Sequence, residues 1–180
     1  LDQLNLPKAH IIGHSMGGKV AMQFAFDYPE RLDQLIVLDI APKAYQPRHL
    51  EILEALQGLP IASLGSRKEA EELLLDKLKN PATVLFLLKN LSRNKNGGFE
   101  WKMNLPVIIR DYRNLIDKIH AQLPHTGSVL FLKGSLSNYI QEEDVSGIKA
   151  LFPNNQIKSI QNSGHWLHAE NPTELLNHIL

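Results

Sequence analysis

The sequence has no cysteine. That excludes disulfide frameworks, thiolate metal sites and cysteine nucleophiles. It also has no net charge, because 19 basic side chains balance 19 acidic ones. Such a balance points to neither nucleic acid nor a charged membrane surface as a partner. No apolar run approaches the ~20 residues that span a bilayer, so membrane insertion is not expected. The lack of cysteine fits a reducing compartment, and a cytoplasmic location is the expectation. What the 180 residues do contain is 43% hydrophobic and 21% charged side chains. That is the composition of a folded globular chain with a sizeable core.

No internal repeat or low-complexity tract interrupts the chain. Residues 8–13 (KAHIIG) form a short apolar run ending in glycine and predict a buried strand. Residues 15–28 follow as a helix, with Val20, Ala21 and Phe24 on its apolar side and Pro29 as its stop. Residues 34–40 (QLIVLDI) predict a second strand, apolar enough for a parallel sheet covered on both faces. From 43 to 118 the pattern becomes helical, with helices expected over 48–59, 66–79, 81–91 and 105–118. An extended piece is expected near 99–104. Strand, helix and strand then return over 128–133, 141–152 and 156–161. A last helix starts at Asn171, with Pro172 and Glu174 in its first turn resembling a capping box. Strands alternating with helices predict an α/β fold with a mostly parallel sheet and a helical insertion. The sheet domain is expected over 1–42 and 119–180, and the insertion over 43–118.

Gly13-His14-Ser15-Met16-Gly17 fits the pattern G-x-S-x-G, with a strand before it and a helix after it. Such a nucleophile elbow places the Ser15 hydroxyl on a sharp, strained turn above the sheet. Small residues at 13 and 17 are expected to let chain pass close by, and Gly18 extends that small-residue patch. The N–H of Met16 would then face a developing oxyanion at a helix N-terminus. The competing reading is a glycine-rich turn with an accidental serine.

A serine hydroxyl needs a base to take its proton. Folds that use this elbow place the base last in chain order, after the final strand. His165 stands there, in Ser163-Gly164-His165. His168 is the nearest competitor, and a metal held by His165 and His168 lacks an evident third ligand. His14 is expected to pack or line a pocket while facing away from the serine.

The acid that orients such an imidazole usually follows the strand after the insertion. Here that segment reads Lys133-Gly134-Ser135-Leu136-Ser137-Asn138-Tyr139, without a carboxylate. Asp39 offers the alternative. It closes an apolar strand, where an unpaired carboxylate is costly, and strand ends carry ligand sites in such sheets. A structural aspartate bonding loop amides is the competing reading. Ser137 is either a second hydrogen-bonding partner for His165 or a turn serine.

Taken together, GHSMGGK at 13–19, LDIAP at 38–42, FLLKNL at 86–91, NLPVIIRDY at 104–112 and SGHWLHAENP at 163–172 resemble the YbfF-type bacterial esterases of the α/β-hydrolase superfamily. A mitochondrial relative shares the pattern. The resemblance runs through nearly the whole chain, and the helical insertion aligns as a cap domain. It implies a carboxylesterase and acyl-CoA thioesterase, with serine, aspartate and histidine at Ser15, Asp39 and His165. It also implies that Ser137 contacts the histidine. Asn138 departs from the family's proline, and the turn before Ser137 is less glycine-rich than the family's.

The elbow of this fold ordinarily follows the fifth strand, yet here its serine is residue 15. The expectation is that N-terminal strands and a second oxyanion donor come from a longer protein or from another chain, and that these residues alone are unstable. No metal or organic cofactor is needed. The stretch 43–118 holds thirteen basic and nine acidic side chains, which would favour an anionic leaving group such as coenzyme A. Val84, Phe86, Leu87, Val107 and Ile108 either pack the insertion or line an acyl pocket. The competing functions are a carbon–carbon bond or lactone hydrolase and a non-catalytic ligand-binding protein.

Overall fold

The computed structural model describes residues 1–180. In chain order its main elements are β1 (Ala9–His14), α1 (Met16–Asp27), β2 (Leu32–Leu38), α2 (Leu50–Gln57), α3 (Arg67–Leu78), α4 (Pro81–Leu88), β3 (Leu91–Arg93), β4 (Phe99–Trp101), α5 (Leu105–Arg110), α6 (Tyr112–Ile116), β5 (Val129–Gly134), α7 (Val145–Leu151), β6 (Asn155–Ile160), α8 (Leu167–Glu170) and α9 (Pro172–Ile179). None of the helices is long and apolar enough to cross a membrane.

The chain divides into two compact units, Leu1–Tyr45 with Ile116–Leu180, and Gln46–Leu115. The division falls three residues inside the expected insertion at each end. Backbone bonding explains the shift. The Tyr45 N–H donates to Ile116 C=O and the Ile119 N–H to Pro42 C=O, so outgoing and returning segments are tied together within the first unit.

In the first unit the strands run parallel in the order β1-β2-β5-β6. Period-two alternation sorts the two central strands onto two cores. Leu35, Val37, Val129 and Phe131 pack with Ala21, Met22 and Ala25 of α1 and Ile148 of α7. Ile36, Leu38, Leu130 and Leu132 pack with Leu167 of α8 and Leu175 of α9. Each fully buried Leu, Ile or Phe contributes about 1.5–3 kcal/mol. β2 and β5 are thus buried on both faces, as their unbroken apolar runs predict.

β1 is different. It lies at the sheet edge, and Ile12 is half exposed. It is an outer strand of the four and is only partly covered. The helix face also differs from expectation. Val20 points outward, while Gly18, Lys19, Ala21, Met22 and Ala25 are the buried positions. Gly18 lies so close to the sheet side that a Cβ there would meet the side chains of Ile40 and Val37.

In the second unit α2, α3 and α4 share a core with the β3–β4 hairpin, through Leu56, Leu74, Val84, Leu88, Leu91 and Phe99. Three of its helices, α3, α4 and α5, start on side-chain caps: Ser66 accepts from the Glu69 N–H, Asn80 from Thr83 and Asn104 from Val107. The expected helix over 81–91 ends at Leu88. Residues 91–93 pair antiparallel with 99–101 instead. Asn94 closes that hairpin by accepting from the N–H groups of Asn96 and Gly98, and Gly97 supplies a positive φ of 84°. The expected helix over 105–118 is two short helices that meet at Asp111.

Candidate active site

Three loops at the C-terminal ends of the parallel strands bring the chemistry together. The first is the elbow between β1 and α1. Ser15 has φ 54° and ψ −123°, a region that non-glycine residues occupy only under constraint. The constraint is visible. The Ser15 N–H donates to Leu38 C=O at 3.0 Å, and its C=O accepts from Gly18 and Lys19. A side chain at Gly13 would overlap the backbone of Gly17, and one at Gly18 would meet the Ile40 side chain. Gly17 itself has open space where a Cβ would lie. Of the three glycines expected to form the small-residue patch, the close approach needs Gly13 and Gly18 but not Gly17.

The second loop follows β2. Asp39 is fully buried and also has a positive φ, 50°. Its N–H donates to Leu132 C=O at 2.8 Å, which holds the residue against β5. The carboxylate then collects three donors. Oδ1 accepts from the Gly134 N–H at 3.0 Å. Oδ2 accepts from the Ser137 hydroxyl and, at 2.8 Å, from Nδ1 of His165. Such donors offset the cost of burying a carboxylate. No buried side-chain nitrogen or oxygen in the structure lacks a hydrogen-bond partner.

The third loop follows β6 and presents His165. Asn162, at φ 53°, turns the chain into it. The Gly134 position is so close to the Ser163 and Gly164 carbonyls that a Cβ would overlap both. Leu136 N–H donates to Ser163 C=O at 2.9 Å. These contacts fix the histidine loop to the end of β5. Nε2 of His165 then lies 2.9 Å from Ser15 Oγ. With Nδ1 facing a carboxylate, the imidazole proton sits on Nδ1, and Nε2 is free to accept the serine proton.

All four expected side chains, Ser15, Asp39, Ser137 and His165, are thus brought together. The expected contact of Ser137 with His165 is corrected: the hydroxyl bonds Asp39 Oδ2 instead, because that oxygen already occupies the space beside Nδ1. Its oxygen also accepts the Tyr139 N–H at 3.2 Å. The Met16 N–H belongs to the first turn of α1, where amides have no partner within the helix and are available to an oxyanion.

Two contacts escaped the sequence. The Nε2–H of His14 donates to the His165 C=O at 2.7 Å. Its ring lies 4.7 Å from that of His165 and 5.1 Å from that of His168. Burial pushes the His14 imidazole down from its usual pKa. Nothing in the motif marks that reach across the site. The Gly134 amide is the second, and the glycine closing an apolar strand was its one signal. No group of three His, Asp or Glu side chains is placed to hold a metal ion.

Comparisons place these observations among known proteins. The profile of the alpha/beta hydrolase fold matches residues 1–86. An sn-1-specific diacylglycerol lipase of Xenopus laevis is 37% identical over 185 residues, covering 99% of this chain and 59% of its own length. The esterase YbfF of Escherichia coli is 34% identical, covering 99% of this chain and 68% of its own. The solved structure of a marine microorganism esterase superimposes with a TM-score of 0.93 at 37% identity, covering 99% of this chain and 71% of that one. The chain therefore spans about three fifths of the Xenopus relative's length.

Proposed function

Because the chain belongs to the α/β-hydrolase family, we propose that it carries the catalytic residues of a serine hydrolase that cleaves carboxylic esters. One observation carries the reading: Ser15 Oγ, the two nitrogens of His165 and Asp39 Oδ2 form a continuous hydrogen-bonded line, with links of 2.9 and 2.8 Å.

The line is arranged for acyl transfer. Ser15 Oγ attacks the acyl carbon while its proton passes to Nε2 of His165. The tetrahedral oxyanion is held by the Met16 N–H. The intermediate collapses, the bond to the leaving oxygen or sulfur breaks, and that atom takes the proton from Nε2. A water molecule then gives its proton to Nε2 and attacks the acyl-Ser15 ester, which releases the acid and returns the proton to Ser15. Asp39 keeps Nδ1 protonated throughout and balances the imidazolium. Ser137 steadies Asp39. None of these steps needs a metal or organic cofactor.

Acyl-CoA thioesters are the finer proposal for the substrate. The stretch 43–118 carries four more basic than acidic side chains, and an anionic leaving group gains from that field. Two of the relatives, a lipase and an esterase, support acyl substrates more generally.

The test is hydrolysis of a panel of p-nitrophenyl esters and acyl-CoAs by the intact protein. Ester turnover that disappears in Ser15→Ala supports the reading. Turnover that survives that substitution rejects it, and so does a complete lack of turnover across the panel. Changing Arg93, Lys95 and Lys102 to glutamine should lower acyl-CoA turnover more than neutral-ester turnover. Equal effects reject the thioester preference.

A further inference from the structure

Imidazole nitrogens make their hydrogen bonds along the ring plane, and His165 makes one at each nitrogen. These bonds set where Nδ1 and Nε2 sit, but they resist rotation about the line joining the two nitrogens only weakly. A group against the ring face is needed to stop that tilt. Tyr139 is that group. Its ring lies flat on the imidazole, with centroids 3.8 Å apart and planes 13° from parallel. The rings of His14 and Trp166 approach His165 at 4.7 and 5.9 Å, but tilted by 40° and 69°. They give the imidazole no second parallel surface.

Tyr139 is itself fixed. Its N–H donates to Ser137 Oγ at 3.2 Å, so its backbone follows the serine that bonds Asp39. Its C=O accepts the Tyr45 hydroxyl at 2.6 Å. The same hydroxyl accepts the Ala41 N–H at 2.8 Å. Tyr45 therefore ties the loop after β2, which holds Asp39, to the loop after β5, which holds Ser137 and Tyr139. The two tyrosine rings pack at 5.4 Å, and the Lys19 ammonium stands 5.1 Å from the centre of the Tyr45 ring.

We propose that Tyr139 is a positioning residue for His165, holding the imidazole plane in line with Ser15, and that Tyr45 is the strut that keeps Tyr139 there. The proposal rests on the hydrolase reading for its kinetic consequence but not for its geometry. A ring free to tilt loses alignment between Nε2 and Ser15 Oγ in the transition state more than it loses substrate affinity. The effect belongs in kcat, with KM little changed.

The experiment compares Tyr139→Phe, Tyr139→Leu and Tyr45→Phe in the intact protein. Tyr139→Phe keeps the stacked face and should stay within about twofold of wild type in kcat. Tyr139→Leu loses the face and should drop kcat by about tenfold to a hundredfold, with KM within about threefold. Tyr45→Phe removes the strut's hydroxyl alone and should give a smaller loss in kcat. In parallel, the proton NMR signal of the His165 Nδ1–H, hydrogen-bonded to Asp39, reports ring order whether or not any ester is turned over. It should be sharp in wild type and Tyr139→Phe and broadened in Tyr139→Leu and, to a smaller degree, in Tyr45→Phe. If Tyr139→Leu unfolds, the Tyr45→Phe signal and kcat decide alone. An unchanged signal and kcat in Tyr139→Leu, or equal losses in Tyr139→Leu and Tyr139→Phe, would overturn the proposal. A wild-type protein with an ordered Nδ1–H but no ester turnover would reject the hydrolase reading and leave the NMR comparison to judge Tyr139.

Discussion

β2 and β5 are neighbours built alike and finished differently. Each alternates apolar side chains between the same two cores, and Leu38 pairs in register with Leu132. β2 runs into Asp39, buried at φ 50°. β5 runs into Gly134 and then Ser137, at the place where this fold usually carries its carboxylate. The acid therefore belongs to the pair of strand ends and not to either one. β2 supplies the carboxylate, and β5 supplies two of its three donors. An imidazole between them reaches an acid on β2 through the same nitrogen that would meet an acid on β5.

The largest expected effect comes from removing the charge at the β2 end. Asp39→Asn should lower kcat/KM for p-nitrophenyl esters by about 10⁴-fold, because the amide no longer enforces the Nδ1–H tautomer. A loss under tenfold would mean that the acid lies elsewhere. Moving the acid from one strand end to the other is a finer probe. Asp39→Ala with Ser137→Asp should recover about tenfold or more over Asp39→Ala alone, measured as kcat/KM. No recovery would show that the β5 end cannot present a carboxylate to Nδ1.

Ser137→Ala removes one of the donors at Asp39 and should cost about tenfold in kcat, since a hydrogen bond to a charged group is worth about 1.5–3 kcal/mol. An unchanged kcat would reduce Ser137 to a turn residue.

The smallest effect concerns the segment after β2. There the buried Lys19 ammonium donates to the carbonyls of Lys43, at 2.9 Å, and of Asp117. Burial pushes the Lys19 pKa down to about 8, against an ordinary value of 10.5. Between those two pH values the unfolded chain binds more protons than the folded one, so this group's contribution to stability rises with pH. Urea unfolding at pH 7.5 and 10 should therefore show wild type gaining on Lys19→Met as pH rises. A change of opposite sign would contradict the buried assignment.

The sheet and the site were largely legible because apolar runs, a strand-flanked Gly13-His14-Ser15-Met16-Gly17 and a late Ser163-Gly164-His165 each have one physical reading. Asp39 was legible because a carboxylate ending so apolar a strand demands partners. Other features depend on distance through space. That Ser137 bonds Asp39 and not His165 is decided by fractions of a side-chain length. The reach of His14 to His165 C=O spans 151 positions of sequence. Leu91 reads as the end of a helix until Asn94 and Gly97 fold the chain back on itself, and short apolar runs fit both patterns. The exposure of Val20 depends on which face of α1 meets the sheet, which a loosely periodic helix sequence does not fix.

Ser15 as nucleophile, activated by His165, underlies every kinetic expectation above. Treating the intact protein with a fluorophosphonate and locating the adduct by peptide mass spectrometry tests that pairing without any assumption about substrate. A single adduct on Ser15 is expected, absent in Ser15→Ala and formed at least about a hundredfold more slowly in His165→Ala. No adduct, an adduct on another residue, or undiminished labelling of His165→Ala would contradict it.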